Sequence, residues 1–263
     1  MPPPAMAAWI TVGPMARRVE DLALALSVLS TTPVTPHTAV PLRDRRAIIP
    51  SPLPLPFVSS EIAACIQSAA GALADAGMRV EQGRKLPLLR TVAETAGVMY
   101  RHWLPAIRTN LGGGRPISLA REVVALWLGK ARVASSVIGN LSPLSAFLGP
   151  LVRVLGYPRP GGLDKLRSEI LAALGPGGVL LLPVLPTTAR PHGYSWTSAG
   201  IPFYTAIINA LGFPAAAVPV GMSEGGLPLS VQIIAGPGED ETTLAAASVI
   251  EQAFGGWRMA PLQ

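Results

Sequence analysis

Two short apolar runs, Ala215 to Val220 and Leu229 to Ile234, constrain this chain more than any other feature. Between them Ser223-Glu224-Gly225-Gly226 has the polar, glycine-rich composition of a turn. The second run alternates: Leu229, Val231 and Ile233 fall on one side of an extended chain, and Ser230, Gln232 and Ile234 on the other. The pattern dictates a pair of strands near a core. The rest of the chain must supply further strands and the helices that cover them.

The supply is ample. Hydrophobic residues make up 49% of the 263 residues and charged residues 14%, enough apolar material for a substantial core and too much for a disordered chain. Gly 27 and Pro 28 forecast many irregular connections. The net charge of +6 suggests an anionic partner, but the arginines are scattered. Arg43, Arg45 and Arg46 form the densest group, without a basic stripe interleaved with aromatics, so nucleic-acid binding is not expected.

One cysteine, Cys65, excludes an internal disulfide and a cysteine-rich metal site. His37, His102 and His192 stand too far apart for metal-ligand spacing, so no metal is expected. The first residues lack the basic and apolar regions of a signal peptide, which makes a cytoplasmic location the expectation. Of the uncharged runs long enough to span a bilayer, the best candidate is Val133 to Val152, between Arg132 and Arg153. Pro143, Pro150 and several small polar residues argue against a continuous spanning helix there, leaving an interfacial helix pair as the alternative.

Helical spacing of Val19, Leu22, Leu26 and Leu29 predicts a helix over residues 17–30. Residues 46–49 read as a short strand. Ser59 can cap the next helix, whose apolar face is Ile62, Cys65, Ile66, Ala69 and Leu73, with Gly77 at its end and a strand over 78–81. Residues 90–110 read as a helix kinked at Pro105 and broken by Gly112-Gly113-Gly114. Ala120, Val123, Val124, Trp127, Leu128 and Ala131 form an apolar helix face. Leu163, Leu166, Ile170 and Leu174 mark another helix, and residues 179–182 a buried strand. Glu239, Asp240 and Glu241 place negative charge at the start of a last helix, with Ala246, Val249, Ile250 and Ala253 inward.

Two blocks of this sequence resemble the amidase-signature family. The first is Gly13-Pro14-Met15-Ala16-Arg17, followed by Val19-Glu20-Asp21-Leu22. The second begins at Asn209 and runs through Gly212, Pro214, Pro219, Gly221 and Gln232 to Gly236 and Asp240. Residues 183–187, ending at Thr187, are similar to a strand and Pro-Thr loop beside the family's substrate pocket; Gly177 and Gly178 stand where the family often has an acid. The resemblance implies an α/β fold: a partial mixed β-sheet covered by helices, in one domain over residues 1–263, with a poorly matched helical middle at about 90–160. It implies hydrolysis of carboxylic amides without a cofactor. By the same resemblance Thr187, His192, Trp196 and Tyr204 are candidates for the substrate pocket. Gly13, Pro14, Met15, Arg17, Asp21, Asn209, Gly212, Pro214, Pro219, Gly221 and Gln232 are architectural, with Asn209 bonding backbone near the active-site loops.

In that family a lysine, a bridging serine in a Gly-Gly-Ser-Ser-Gly-Gly loop and a nucleophilic serine in a Gly-Ser-Asp-x-Gly-Gly-Ser loop do the chemistry. All three precede the first block, and neither glycine–serine motif occurs in this sequence. The lysines are Lys85, Lys130 and Lys165, and the serine pairs Ser59-Ser60 and Ser135-Ser136. On a helix Lys130 and Ser135 would point about 140° apart. Cys65 lies on an apolar helix face, where a thiol is inert. No catalytic residue is therefore assigned. The chain is expected to be the C-terminal portion of an amidase, inactive alone, with an N-terminal amidase segment as its missing partner and self-association through uncovered apolar surface. A non-catalytic binding or assembly protein on the same scaffold is the alternative. So is a peripheral membrane module, since some fatty-acid amide hydrolases dock through an apolar helix pair.

Overall fold

The computed structural model describes residues 4–53, 58–189, 191 and 203–259. They form two compact units. One comprises Val12–Pro87, Arg167–Thr188 and Gly212–Gln263 and holds the sheet; the other comprises Met1–Thr11, Leu88–Leu166 and Ala189–Leu211 and is helical. The fold class is α/β, as the sequence implies.

The sheet unit opens with α1 (Val19–Leu29), then β1 (Arg46–Pro50), α2 (Ser60–Asp75) and β2 (Arg79–Arg84). The helical unit contributes α3 (Leu88–Val98), α4 (Leu104–Leu111), α5 (Leu119–Trp127), α6 (Ser135–Pro143) and α7 (Gly149–Val154). The chain returns to the sheet unit within α8 (Gly162–Leu174) and continues as β3 (Val179–Pro183). After α9 (Phe203–Leu211) of the helical unit come β4 (Ala215–Met222), β5 (Pro228–Ile234) and α10 (Asp240–Phe254).

The five strands lie in the order β2-β1-β3-β5-β4. β1 is parallel to β2 and to β3, pairing Arg46 with Arg79 and Ala47 with Val179. β5 is antiparallel to β3 and to β4, pairing Ile233 with Leu181 and Val231 with Val218. The alternation seen in the sequence decides the faces. Leu229, Val231 and Ile233 join one cluster with Val179, Leu181, the inner side of α2 (Ile62, Cys65, Ile66, Ala69, Leu73) and the inner side of α10 (Ala246, Ile250). On α10 the sequence places Ala253 inward, but Ala253 is exposed and Phe254 packs on the cluster instead.

Local chemistry sets the ends. The Ser59 hydroxyl accepts from the Ile62 N–H at 3.4 Å, capping α2, while the Ser59 N–H donates to the Pro186 carbonyl. At the other end Gly77 adopts φ +90°, a conformation closed to most side chains. Arg46 donates to the Ala173 carbonyl and pairs with Glu81, and Arg45 reaches the Thr242 hydroxyl. These arginines tie elements together.

In the helical unit Pro143 and Pro150 do not interrupt the helix as the sequence predicts. A π-turn over Met99–Trp103 joins α3 to α4, and another over Leu144–Leu148 joins α6 to α7. Each ends two residues before a proline, Pro105 or Pro150. A proline removes one i→i−4 bond and crowds the preceding turn; widening that turn keeps the helix continuous. The second case yields one helix over Ser135–Val154, long and apolar enough to span a membrane, with 31% of that stretch buried. Lys130 and Ser135 share no helix: Lys130 lies after α5, and Ser135 opens α6.

The predicted apolar face of α5 is also reversed. Val124, Trp127 and Leu128 are exposed, and the buried residues of the helix are Leu119 and Glu122. The Glu122 carboxylate accepts from the Arg132 backbone N–H at 3.0 Å and from Nε and Nη2 of the same residue at 3.2 and 3.0 Å. These bonds, the backbone N–H foremost, hold the Glu122 carboxyl below its ordinary range. A carboxyl depressed by folding stabilises the fold above the unfolded range and loses that contribution as pH falls through the folded value. Glu122→Gln should therefore lower the melting temperature at pH 7, with the gap from the wild type closing on acidification below about pH 4. Thermal melts from pH 7 to 3 check this; a gap independent of pH would show that the charge is irrelevant.

Candidate functional site

Two widely separated blocks of sequence meet on α10. The Val19 N–H, at the start of α1, donates to both oxygens of Glu251 at 3.1 and 3.2 Å. The Arg17 guanidinium lies 4.4 Å from the centre of the Trp257 ring. Asp21, in the first turn of α1, complements the helix dipole. Gly13, Pro14 and Met15 precede this anchor; Gly13 has no atom near the place a Cβ would take, and Met15 is 98% exposed.

The second block builds the β4–β5 hairpin. Gly212 takes φ +66°, and a Cβ there would also come within 3.1 Å of Arg167 Nη2. The turn delivers Phe213 to a buried position, and the Pro214 carbonyl accepts from the Ala235 N–H at 3.2 Å. Pro219 pairs with Ser230 and Gly221 with Leu229, so the ladder slips between them, where Pro219 has no N–H to give. Gln232 is buried on β5, opposite Ala217 and Leu182.

One residue does more than the sequence suggests. Glu239 accepts from the Gly177 N–H at 2.8 Å through Oε1 and from the Gly236 N–H at 3.1 Å through Oε2. It stands on the loop before α10 and reaches the turn that launches β3. Sequence reasoning gives it only a role at the helix dipole. The local signal is Gly236-Pro237-Gly238-Glu239, an acid reaching back three residues to a backbone N–H as in a capping box.

The pocket candidates divide. Thr187 belongs to the sheet unit, and its buried hydroxyl has no hydrogen-bond partner among the described residues. Tyr204 belongs to the helical unit and is fully buried. His192 and Trp196 lie outside the described residues. Asn209 is exposed on α9. Cys65 is buried, and desolvation, with Glu61 adding, pushes its thiol up, so it is no nucleophile. Lys85, Lys130 and Lys165 are all exposed. Among the described residues no group of His, Cys, Asp or Glu could hold a metal ion.

A family model described as Amidase matches residues 163–244. Fatty-acid amide hydrolase 2 of Homo sapiens is 43% identical over 94 residues, which cover 36% of this chain and 18% of that protein. Fatty-acid amide hydrolase 2-A of Danio rerio is 36% identical over 149 residues, covering 56% and 27%. Among solved structures, a bacterial aryl acylamidase of the amidase-signature enzymes superposes with a TM-score of 0.62 at 20% identity, over 92% of this chain and 52% of that one. At that identity the likeness is one of fold. The chain thus spans about half of that structure, and a smaller share of each hydrolase aligns with it.

The two bonds at Glu239 generate a test. Glu239→Ala should cost about 1.5–3 kcal/mol, the range for hydrogen bonds to a charged group. Glu239→Gln keeps one acceptor oxygen and should recover part of the loss. Urea unfolding of the three proteins measures it; an alanine variant as stable as the wild type would mean that water serves both N–H groups equally well.

Proposed function

Since the chain belongs to the amidase-signature family, we propose that it serves the hydrolysis of carboxylic amides to acid and amine or ammonia, as the part of the catalyst that does not carry the nucleophile. The nucleophilic serine, bridging serine and lysine come from polypeptide outside these 263 residues, on the same chain or another. The observation that carries this reading is the exposure of all three lysines. A lysine that takes a proton from serine must be neutral near pH 7, which requires desolvation or a neighbouring cation. Exposure leaves all three lysines without desolvation. The serine pairs offer no substitute: Ser59 is committed to capping α2, and Ser135 and Ser136 sit at the start of α6.

Surfaces suited to the complementary segment are present. Ile10, Val12 and Met15 are exposed ahead of α1, and Leu24, Val28 and Leu29 are exposed on it. Among the described residues β2 and β4 each pair on one side only. In the same reading the Thr187 hydroxyl contacts the amide substrate. No cofactor is needed, because acyl transfer through a serine requires none. A cytoplasmic setting fits the single buried thiol.

The purified chain should neither hydrolyse a panel of aliphatic and aryl amides nor react with a serine-directed fluorophosphonate, and it should elute as self-associated material. Turnover with a labelled serine would place the nucleophile within these residues and end this reading.

One observation favours a second reading, a peripheral membrane module. Trp127 is 88% and Val154 85% exposed, with Leu128, Phe147, Leu151 and Leu155 also open to solvent in the helical unit. Exposed aromatic and aliphatic side chains of this size suit the lipid interface. Sedimentation with phosphatidylcholine vesicles should carry the chain down, and Trp127→Ser should reduce that several-fold; a chain left in the supernatant rejects this reading.

A further inference from the structure

The positive charge of this chain is not spread evenly. Between residues 88 and 166 there are ten basic and three acidic residues, so that stretch carries +7 and the remainder −1. Part of this excess converges on one cavity of about 370 Å³ in the helical unit. Arg101, Arg108 and Arg153 line it, with Tyr100, Tyr157 and Ser145. Among the described residues no carboxylate lines it.

The cavity is built by the backbone. Arg101, Leu104, Pro105 and Arg108 follow one another at helical spacing along the continuous α3–α4 helix, so both arginines face the same way. Gly149 lies flat against the Tyr100 ring, where any Cβ would collide with it. At Gly97 a Cβ would sit 2.6 Å from the Pro158 nitrogen, so this glycine admits the Tyr157-Pro158 segment as the opposite wall. That segment is fixed by Glu94, 3% exposed, which accepts from the Arg159 N–H at 2.8 Å. The nearby buried acid is thus engaged with backbone. The Arg159 guanidinium stacks 4.7 Å from the Tyr157 ring centre and adds to the positive field.

Arg108 spends its Nε on the Ile117 carbonyl at 2.7 Å, which orients its remaining donors. The guanidinium groups of Arg101 and Arg153 have no hydrogen bond or ion pair among the described residues. Three guanidinium groups around one concave space, with no carboxylate among the described residues that line it, suit an anion.

We propose that this cavity binds a phosphoryl group, free as a small phosphate ester or carried on a lipid headgroup. A phosphoryl dianion matches three cations better than a single carboxylate does, and its oxygens accept from the arginine forks and from the hydroxyls of Ser145 and the two tyrosines. The binding stands apart from the amide chemistry proposed above and does not depend on it.

The test uses the full 263-residue chain and inorganic phosphate as the probe, by calorimetric titration. Binding should be saturable. The double variant Arg101→Gln/Arg153→Gln should weaken it at least about tenfold, the loss of charge-assisted hydrogen bonds. Arg121→Gln, which removes an exposed arginine outside the cavity, should leave it unchanged. Lysine at both positions keeps the charge but not the fork, and should fall between. Circular dichroism checks each fold; should the double variant misfold, Arg101→Gln alone is read.

Vesicles of phosphatidylcholine containing phosphatidic acid separate the two sources. Sedimentation with them that depends on Arg101 and Arg153, without response to free phosphate, assigns the group to a lipid headgroup; the reverse assigns it to a soluble ester. Neither response, or equal weakening by Arg121→Gln, overturns the proposal.

Discussion

The sheet depends on β3. All five of its residues are buried, and it is where strand direction changes, parallel to β1 on one side and antiparallel to β5 on the other. A strand covered on both faces cannot satisfy its backbone groups with water, so both neighbours must be in register for it to be stable. The turn before it is therefore a sensitive place. Gly177 and Gly178 carry no side chain to hold it, and Glu239 does so from the other end of the chain. The acid which the family resemblance places before this strand is absent, and an acid 62 residues later reaches the backbone there.

The elements legible in the sequence are those whose period and punctuation agree. α2 shows a capping serine, a 3.6-residue apolar repeat and a terminal glycine, and it forms with its apolar face inward. The β4–β5 hairpin shows strict alternation, and its faces divide accordingly. The family is legible for a related reason: its motifs are mostly glycines and prolines that set turns, and turns are written locally. The exposed apolar face of α5 is illegible because periodicity reports which residues share a side of a helix, not what covers that side. Glu122 holds its buried position through three bonds to Arg132, a pairing that hydropathy cannot register.

The site is legible only in part. The resemblance names residues that build the hairpin, but the groups that tie distant segments together, Glu239 and Glu251, read locally as ordinary helix acids. Their partners are backbone N–H groups, which have no letter in the sequence. The arginine cavity is hidden for a different reason. Its members are spread over more than fifty residues, and the π-turns that keep both proline-containing helices continuous decide which of them share a wall.

The sheet topology also has a consequence for how the chain acquires its structure. β4 and β5 are joined by a tight turn, so their pairing closes a short loop and can form within microseconds. β1 and β3 pair across about 130 residues, and the whole α3–α7 segment lies in the loop that must close. On a ribosome β1 and β2 are made long before β3, and β3 before the strand that flanks it on the other side. The nascent chain therefore carries a parallel pair with open edges until β3, β4 and β5 emerge, the interval in which chaperone binding matters most.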